Sequence, residues 1–212
     1  MAWDRLRASY DRVAGTYDRT FRAELESKPW DRERLRVFCR DVADPVVEVG
    51  CGPGQVGAYA RSLGRHVVGV DFSPQMARLA AGRLPAAVAG DMRDLPIRDN
   101  SVGGLLAFYA VIHLRREELG DGFAEFRRVL RPGGRVLVSA HEGEGELAAD
   151  EFLGEPAPFV ATLLSLDELG AAAAAAGLEV ARSDRRPPYP SEHPTVRLYV
   201  EAVRPLRVER LD

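Results

Sequence analysis

The sequence is poor in the residues and runs that mark several protein classes. It has two cysteines, Cys39 and Cys51, which cannot build a disulfide framework, so we expect reduced thiols in a cytoplasmic protein. No apolar run approaches the roughly 18 residues that a membrane span needs. Residues 1–7 have no apolar stretch of the kind found in secretory signals. We therefore expect neither a membrane segment nor export.

Lysine is also scarce, since Lys28 is the one lysine among 29 basic residues. The arginines are interleaved with acidic residues, and the formal net charge is −3. Proteins that bind nucleic acid through its phosphates usually present a basic patch, so we expect no nucleic-acid partner. The contents of 46% apolar and 29% charged residues are those of an ordinary globular protein.

Strand and helix patterns alternate along the chain, which predicts an α/β fold with a mostly parallel sheet covered on both faces. We expect one domain over 1–212, with a helical lid or cap at 1–44 and a cofactor-binding core at 45–141. An insert on the substrate side follows at 142–164, and 165–212 forms a helix and two strands. Because no helical pattern separates those two strands, we expect them to be antiparallel neighbours.

The clearest motif is a glycine-rich loop after the first strand, Glu48-Val-Gly50-Cys-Gly52-Pro-Gly54. Glycines are required where the backbone needs a positive φ or where a ligand approaches it closely. The next residues also complete the G-x-G-x-x-G pattern of dinucleotide-binding proteins, with Asp71 near the position that binds ribose hydroxyls. A nicotinamide- or flavin-dependent oxidoreductase is therefore an alternative.

Acidic residues near the strand ends favour a cationic ligand over a dinucleotide. Glu48 lies two residues before Gly50, and Asp91 follows the third strand beside Met92. A carboxylate at that place would repel a pyrophosphate, and the loop contains no basic side chain. The pattern predicts a nucleoside with a positively charged tail.

Four motifs, in this order and spacing, resemble those of the class I S-adenosylmethionine-dependent methyltransferases. They are the glycine loop, Val70-Asp71-Phe72-Ser73-Pro74-Gln75-Met76, Gly90-Asp91-Met92-Arg93-Asp94-Leu95-Pro96 and Arg131-Pro132-Gly133-Gly134. The resemblance covers about residues 35–141, and the whole chain is similar to small stand-alone actinobacterial methyltransferases.

The resemblance implies a Rossmann-like three-layer sandwich. Its seven-stranded sheet has the order 3-2-1-4-5-7-6, with strand seven antiparallel. It also implies S-adenosylmethionine as methyl donor, S-adenosylhomocysteine as product and a small organic acceptor that is methylated on oxygen, nitrogen or carbon. A non-catalytic protein that binds S-adenosylmethionine is a further alternative.

The resemblance also implies a set of cofactor contacts. The loop glycines would lie under the methionine part, Asp71 would accept the ribose hydroxyls, and Asp91 would accept the adenine amino group. The structural alternatives are an acid at a helix N-terminus for Asp71, a solvated turn for Asp91 and core packing for Met92. The full implied set is Glu48, Gly50, Cys51, Gly52, Gly54, Asp71, Phe72, Met76, Asp91, Met92, Phe108 and Tyr17.

Histidines and tyrosines supply the candidates on the acceptor side. An oxygen nucleophile generally needs a base, and His113 and His141 follow the fourth and fifth strands. Tyr10 and Tyr17 are seven residues apart and would share a face of one helix if Gly15 does not interrupt it. The candidate substrate residues are Tyr10, Tyr109, His113 and His141.

The segment after strand four narrows the acceptor class. Ala107-Phe108-Tyr109-Ala110 is not the Asn/Asp-Pro-Pro-Tyr pattern of enzymes that methylate amides or nucleic-acid bases. The acidic residues after His141 indicate a flexible loop rather than a metal site. We expect no metal, and a monomer or a homodimer.

Overall fold

The computed structural model describes residues 3–206 of the chain. Six α-helices are present in this part. Their bounds are α1 Trp3–Phe21, α2 Pro29–Asp41, α3 Gln55–Ser62, α4 Pro74–Ala80, α5 Leu119–Val129 and α6 Leu166–Ala175. Short 3-10 turns are present at Glu24–Ser27, Val111–His113 and Arg116–Glu118.

Nine strands accompany these helices. Their bounds are β1 Val46–Val49, β2 Val67–Asp71, β3 Ala86–Ala89, β4 Val102–Phe108, β5 Leu130–His141, β6 Glu146–Ala149, β7 Phe159–Thr162, β8 Glu179–Arg186 and β9 Arg197–Val203. Seven of them form one sheet in the order β3-β2-β1-β4-β5-β9-β8, while β6 and β7 pair as a separate antiparallel hairpin.

The sheet confirms the predicted topology. When only its seven strands are counted in chain order, the order is 3-2-1-4-5-7-6. The pairs among β1 to β5 are parallel, and β9 runs antiparallel to both β5 and β8. The carboxyl ends of β1, β2 and β4 therefore meet at one edge, where ligands of such sheets bind.

Two hydrophobic clusters cover the two faces of the sheet. Leu105 and Ala107 of β4 belong to one cluster and Leu106 and Phe108 to the other, as the two-residue period of a strand requires. The first cluster includes Phe123 of α5, and the second includes residues of α2 and α3. Helices thus pack on both sides, which gives the expected three layers. Within residues 3–206, no helix combines the length and apolar content of a bilayer crossing.

Local signals fix several helix ends where the sequence predicts them. Ser73 caps α4 by accepting a hydrogen bond from the Met76 N–H, with Pro74 at the first helical position. Ser165 and Glu168 form a reciprocal capping box at the start of α6. Helix α1 runs without interruption through Gly15, so the predicted shared face of Tyr10 and Tyr17 is present. Their ring centroids are 6.3 Å apart.

The segment after β5 contains structure that the sequence pattern did not predict. Residues 146–149 and 159–162 form the β6–β7 hairpin, within the part that was expected only as an insert. Leu164 is buried in the core, whereas Phe152 packs against the rings of Tyr10 and Tyr17. The insert therefore contacts α1 directly.

Candidate active site

A cavity of about 750 Å³ lies at the carboxyl ends of β1, β2 and β4, beneath α1. Its wall contains most of the predicted site residues, namely Tyr10, Tyr17, Glu48, Gly50, Cys51, Gly52, Asp71, Phe72, Met76, Met92, Phe108, Tyr109 and His113. The structure thus brings together residues that are up to about half the chain apart.

Three predicted site residues lie outside this wall: Gly54, Asp91 and His141. Gly54 has φ +88°, and a Cβ there would lie 3.2 Å from Ala80, so this glycine serves the packing of the loop on α4. The Asp91 carboxylate pairs with Arg93 at 2.6 Å and is 38% exposed. This ion pair keeps Asp91 at the rim and holds its pKa below the ordinary value, although partial burial opposes the shift.

His141 is positioned by its neighbours away from the cavity. Its Nδ1 lies 2.8 Å from the hydroxyl oxygen of Thr195, and its ring packs near Tyr109 with 5.2 Å between centroids. Burial, and next the charge of Arg197, lower the pKa of His141 to about 3. The imidazole is therefore neutral, and it does not line the cavity.

The glycine loop owes its shape to close backbone packing. Gly50 has φ +65°, and a Cβ at this position would lie 2.4 Å from the Cβ of Ala110. Gly52 has φ +51° and also lies in the wall. Only glycine satisfies both requirements at Gly50, since a side chain would meet a positive φ and a steric overlap.

Two buried carboxyl groups hold this loop in place. Glu48 Oε2 accepts the N–H of Gly57 at 2.8 Å. Asp71 Oδ2 accepts the N–H of Gly52 at 2.7 Å, and Asp71 Oδ1 accepts the N–H of Ser73 at 2.9 Å. Each carboxylate oxygen keeps further acceptor capacity for a ligand, since it can accept more than one hydrogen bond.

Burial raises the pKa of both carboxyl groups. It raises the pKa of Glu48 well above its ordinary value, against the hydrogen bond from Gly57. It raises the pKa of Asp71 to about 6, against the hydrogen bonds from Ser73 and Gly52. Asp71 is thus ionised at neutral pH but close to its titration range.

Apolar side chains form the wall next to Asp71. Met76 and Met92 are almost completely buried, and Phe72 packs against the ring of Tyr10 with 5.5 Å between centroids. Thioether and aromatic groups of this kind suit a flat aromatic ligand. The arrangement leaves Asp71 as the ionisable group beside an apolar slot.

Helix α1 covers the cavity and is bonded to several elements around it. Asp11 Oδ1 accepts the hydroxyl of Ser73 at 2.6 Å, and Asp18 pairs with Arg83 at 2.8 Å. The Tyr10 hydroxyl lies 2.8 Å from His113 Nε2, and His113 Nδ1 lies 3.1 Å from the carbonyl oxygen of Val160. Because a carbonyl only accepts, Nδ1 carries the proton and Nε2 accepts the hydroxyl of Tyr10.

This tautomer agrees with the electrostatics of His113. Burial lowers its pKa to about 4, against the hydrogen bond to Val160. The imidazole is neutral at physiological pH, and its free lone pair is already engaged by Tyr10.

The opposite end of the cavity is formed by a chain of hydroxyl groups. Tyr109 has φ +53°, which is uncommon for a bulky residue, and its N–H donates to Ser139 Oγ at 2.9 Å. Its hydroxyl lies 3.0 Å from that of Tyr199, which in turn donates to Asp31. Because the proton of Tyr199 is used on Asp31, Tyr109 donates to Tyr199, and the Tyr109 oxygen keeps lone pairs for a ligand.

Several other wall residues were not predicted from the sequence, and they are Glu24, Leu25, Lys28, Asp31, Gln55, Val56 and Ala110. Most come from the turn between α1 and α2 and from the start of α2. That turn does not follow a strand. The rule that ligands bind at the carboxyl ends of parallel strands therefore could not identify its residues. The single available signal was Lys28, the one lysine of the sequence.

Comparison with known proteins agrees with this arrangement. Residues 47–138 match the family model described as a methyltransferase domain. The chain is 31% identical over 140 residues to a demethylmenaquinone methyltransferase of Tropheryma whipplei, covering 63% of this chain and 57% of that protein. It is 33% identical over 163 residues to a malonyl-[acyl-carrier protein] O-methyltransferase of Pseudescherichia vulneris, covering 70% and 63%. The chain thus spans less than two thirds of these relatives.

Solved structures share the fold at lower sequence identity. A Burkholderia thailandensis 1,6-didemethyltoxoflavin-N1-methyltransferase, solved with bound 1,6-didemethyltoxoflavin and S-adenosylhomocysteine, has a TM-score of 0.69 at 20% identity. That match covers 97% of this chain and 91% of that one. Residues 47–138 thus match a methyltransferase domain, and the curated relatives that the chain matches are methyltransferases.

Proposed function

We propose that this protein transfers the methyl group of S-adenosylmethionine to a small organic acceptor. The observation that carries the proposal is the continuity of the cavity. The glycine loop and Asp71 line the same space as Tyr109 and His113, so a donor on one side faces an acceptor on the other. A protein that only bound the cofactor would not need the part of the cavity that Tyr109 and His113 line.

The residues of the glycine-loop side fit the cofactor. Gly50 and Gly52 expose backbone to the cavity, Asp71 offers carboxylate oxygens for hydroxyl groups, and Met76 and Met92 offer an apolar slot for a flat ring. The acidic wall suits a ligand with a sulfonium and an ammonium group better than one with a pyrophosphate. This contrast favours the methyltransferase over the alternative of a dinucleotide-dependent oxidoreductase.

When bound, the cofactor supplies a methyl group already activated by the sulfonium. The chain then has to exclude water and orient the acceptor. Helix α1 covers the cavity, and Phe108 and Tyr109 line it where β4 ends. The Tyr109 oxygen, with its hydrogen directed to Tyr199, is a hydrogen-bond acceptor for a hydroxyl or amine group of the substrate.

The two histidines proposed as bases are poorly suited to that role. An efficient base has a pKa near the working pH, whereas His113 has a pKa of about 4 and His141 of about 3. His113 also engages its lone pair with Tyr10, and His141 does not line the cavity. The geometry supports catalysis by orientation and water exclusion, with His113 positioning Tyr10.

The relatives leave the acceptor open. Their names refer to demethylmenaquinone in one case and to malonyl-[acyl-carrier protein] in the other. The cavity is lined by Tyr10, Tyr17, Phe72, Phe108 and Tyr109, which suits a flat acceptor of moderate size. We propose a small organic acceptor, without further assignment of the atom methylated.

The first test is calorimetric titration with S-adenosylhomocysteine, with NAD, NADP and FAD in parallel. We expect micromolar binding of the nucleoside only. Gly50→Ala should abolish this binding because its Cβ would overlap Ala110. Gly64→Ala is the matched control: Gly64 also has a positive φ, of +89°, but a Cβ there meets nothing within 4 Å.

A second step uses S-adenosylmethionine with a labelled methyl group and a panel of small hydroxyl, amine and carbon acceptors. Transfer to any member supports the proposal. Binding of a dinucleotide, or cofactor binding with no transfer to any class of acceptor, would contradict it.

A further inference from the structure

Three polar side chains meet at the edge of the cavity between the α1–α2 turn and the start of α3. Lys28 Nζ lies 2.6 Å from Glu24 Oε2, and Gln55 Nε2 donates to Glu24 Oε1 at 3.1 Å. All three residues line the cavity. We call Glu24, Lys28 and Gln55 the polar corner.

The polar corner contains a buried acceptor without a donor. Gln55 Oε1 is buried, and no donor within residues 3–206 lies in hydrogen-bond range of it. The orientation of this amide is set by Glu24, because a carboxylate can only accept and must face the amide nitrogen. The amide oxygen then points towards the glycine loop, where the Cβ position of Gly52 lies 3.9 Å from it. Buried acceptors are normally satisfied, so this oxygen indicates a ligand that donates.

The corner also holds the one strong cation of the cavity. Among the described wall residues, Lys28 is the sole lysine or arginine, while the wall carries the carboxyl groups of Glu24, Asp31, Glu48 and Asp71. The Lys28 ammonium lies between Glu24 and Glu192, 3.2 Å from the latter, and its side chain is 12% exposed. The cation of Lys28 and the amide of Gln55 thus contact the two oxygens of one carboxylate, that of Glu24.

A free amino acid presents the complementary pair of groups, since its ammonium and carboxylate are attached to the same carbon atom. Recognition of both requires an acceptor and a cation side by side. We infer that the polar corner binds the amino-acid end of the cofactor, with Gln55 Oε1 accepting from the ammonium and Lys28 pairing with the carboxylate. Glu24 holds both side chains in place. This inference rests on the proposed function, since it takes S-adenosylmethionine as the ligand.

The test compares two ligands that differ only in this end of the molecule. S-adenosylhomocysteine carries the amino acid, and 5′-methylthioadenosine keeps the adenosine and thioether without it. In calorimetric titrations, we expect Lys28→Met and Gln55→Met each to weaken S-adenosylhomocysteine binding at least tenfold. Binding of 5′-methylthioadenosine should stay within twofold of the wild type.

Arg32→Met is the matched control variant. Arg32 lies four residues after Lys28 in α2, is exposed, stacks on Tyr59 and is outside the cavity wall. The substitution Arg32→Met removes a positive charge close to Lys28 in the sequence without changing any residue of the polar corner. We expect it to leave the binding of both ligands within twofold of the wild type.

A labelling experiment tests Lys28 without any substitution. Because Lys28 is the one lysine of the sequence, an amine-reactive acylating reagent modifies it alone among side chains, and peptide mass spectrometry separates it from the chain terminus. S-adenosylhomocysteine should slow its acylation severalfold, and 5′-methylthioadenosine should not.

The outcomes separate this inference from the proposed function. If neither nucleoside binds the wild-type protein, the cofactor assignment itself is wrong. If both bind, but Lys28→Met weakens them equally or not at all, the polar corner is a structural cluster and the inference is wrong. Protection of Lys28 by both nucleosides alike would also overturn it.

Discussion

The two halves of the cavity are built from contacts of different range. In the glycine-loop half, formed by Glu48, Gly50, Gly52 and Asp71, carboxyl groups accept backbone N–H groups. Their partners are 9, 19 and 2 residues away in the sequence. Each carboxyl group therefore reaches a backbone position within its own strand–loop–helix unit or the neighbouring one.

In the tyrosine half, formed by Tyr10, Asp31, Tyr109 and His113 together with their hydrogen-bond partner Tyr199, side chains contact side chains. The partners are 90, 103 and 168 residues apart. These contacts require α1, α2, β4 and β9 to be assembled first. The contrast indicates that the cofactor side depends on local backbone geometry, whereas the acceptor side depends on the stability of the whole fold.

The largest effect should come from the ion pair behind the tyrosine half. Arg186 Nε lies 3.1 Å from Asp31 Oδ2, and both side chains are at least 95% buried. Arg186 also pairs with Glu192 at 2.8 Å. Arg186→Met leaves two buried carboxylates without this cation, and we expect it to lower the free energy of unfolding by about 3–5 kcal/mol. Urea unfolding measures this change.

The matched control lies beside the glycine-loop half. Arg93 pairs with Asp91, with side chains 25% and 38% exposed, and also with the buried Glu118, which keeps Arg115 as a second cation. Arg93→Met should therefore lower the free energy of unfolding clearly less than Arg186→Met does. Adding Asp31→Asn to Arg186→Met should recover part of the loss, because it removes a buried charge. If Arg186→Met and Arg93→Met lower the free energy of unfolding equally, the tyrosine half does not depend more on the stability of the whole fold than the glycine-loop half does.

The next effect concerns pH, and the two halves should respond with opposite sign. In the tyrosine half, the pKa of His113 is about 4 in the folded protein, against an ordinary value of 6.5. Between these values the unfolded chain binds more protons, so this group lowers the stability as the pH falls from 6.5 to 4. The full loss is about 3 kcal/mol.

In the glycine-loop half, the pKa of Asp71 is about 6 when folded and 3.8 ordinarily. Between these pH values the folded protein binds more protons than the unfolded chain. The stabilisation that Asp71 contributes is therefore fully present below pH 3.8 and is lost as the pH rises through about 6. As the pH falls from 6.5 to 4, we therefore expect the stability of His113→Gln to rise relative to that of the wild type. Over the same range the stability of Asp71→Asn should fall relative to that of the wild type. Urea unfolding across the range measures both, and shifts of the same sign would contradict the prediction.

The sequence was a good guide to the glycine-loop half. The carboxyl ends of parallel strands meet at one edge, so Gly50, Asp71 and Met92 could be placed together from the order of their motifs. Two residues that were expected there, Gly54 and Asp91, do not line the cavity. Gly54 packs against Ala80, and Asp91 is drawn to Arg93, two residues further on.

The tyrosine half was predicted only in part. Tyr109 and His113 follow strand four and could be found from that position, and Tyr10 from its helical spacing with Tyr17. Asp31 and Tyr199 could not, because their contact spans 168 residues and joins α2 to β9. Neither a motif nor a period relates such positions, and only the assembled fold brings them together.

The smallest predicted effect is that of Asp91, at the rim of the cavity, on cofactor binding by the glycine-loop half. Asp71→Asn should weaken S-adenosylhomocysteine binding by about 1–3 kcal/mol, the cost of losing a charged hydrogen-bond acceptor. Asp91→Asn should change it by less than about threefold, since Asp91 lies outside the wall and is paired with Arg93. Calorimetric titration of both variants at neutral pH measures the difference.

Because Asp71 also holds Gly52 and Ser73, its effect has two sources that an analogue can separate. A dideoxyribose analogue of S-adenosylhomocysteine lacks the hydroxyl groups that Asp71 is proposed to accept. If the contact is direct, the wild type should bind this analogue as weakly as Asp71→Asn binds the natural ligand, and the variant should lose little more. If both losses add in full, Asp71 acts by shaping the loop. An equal loss in Asp91→Asn would instead mean that the rim carboxylate reaches the cofactor and that the boundary of this half lies further out.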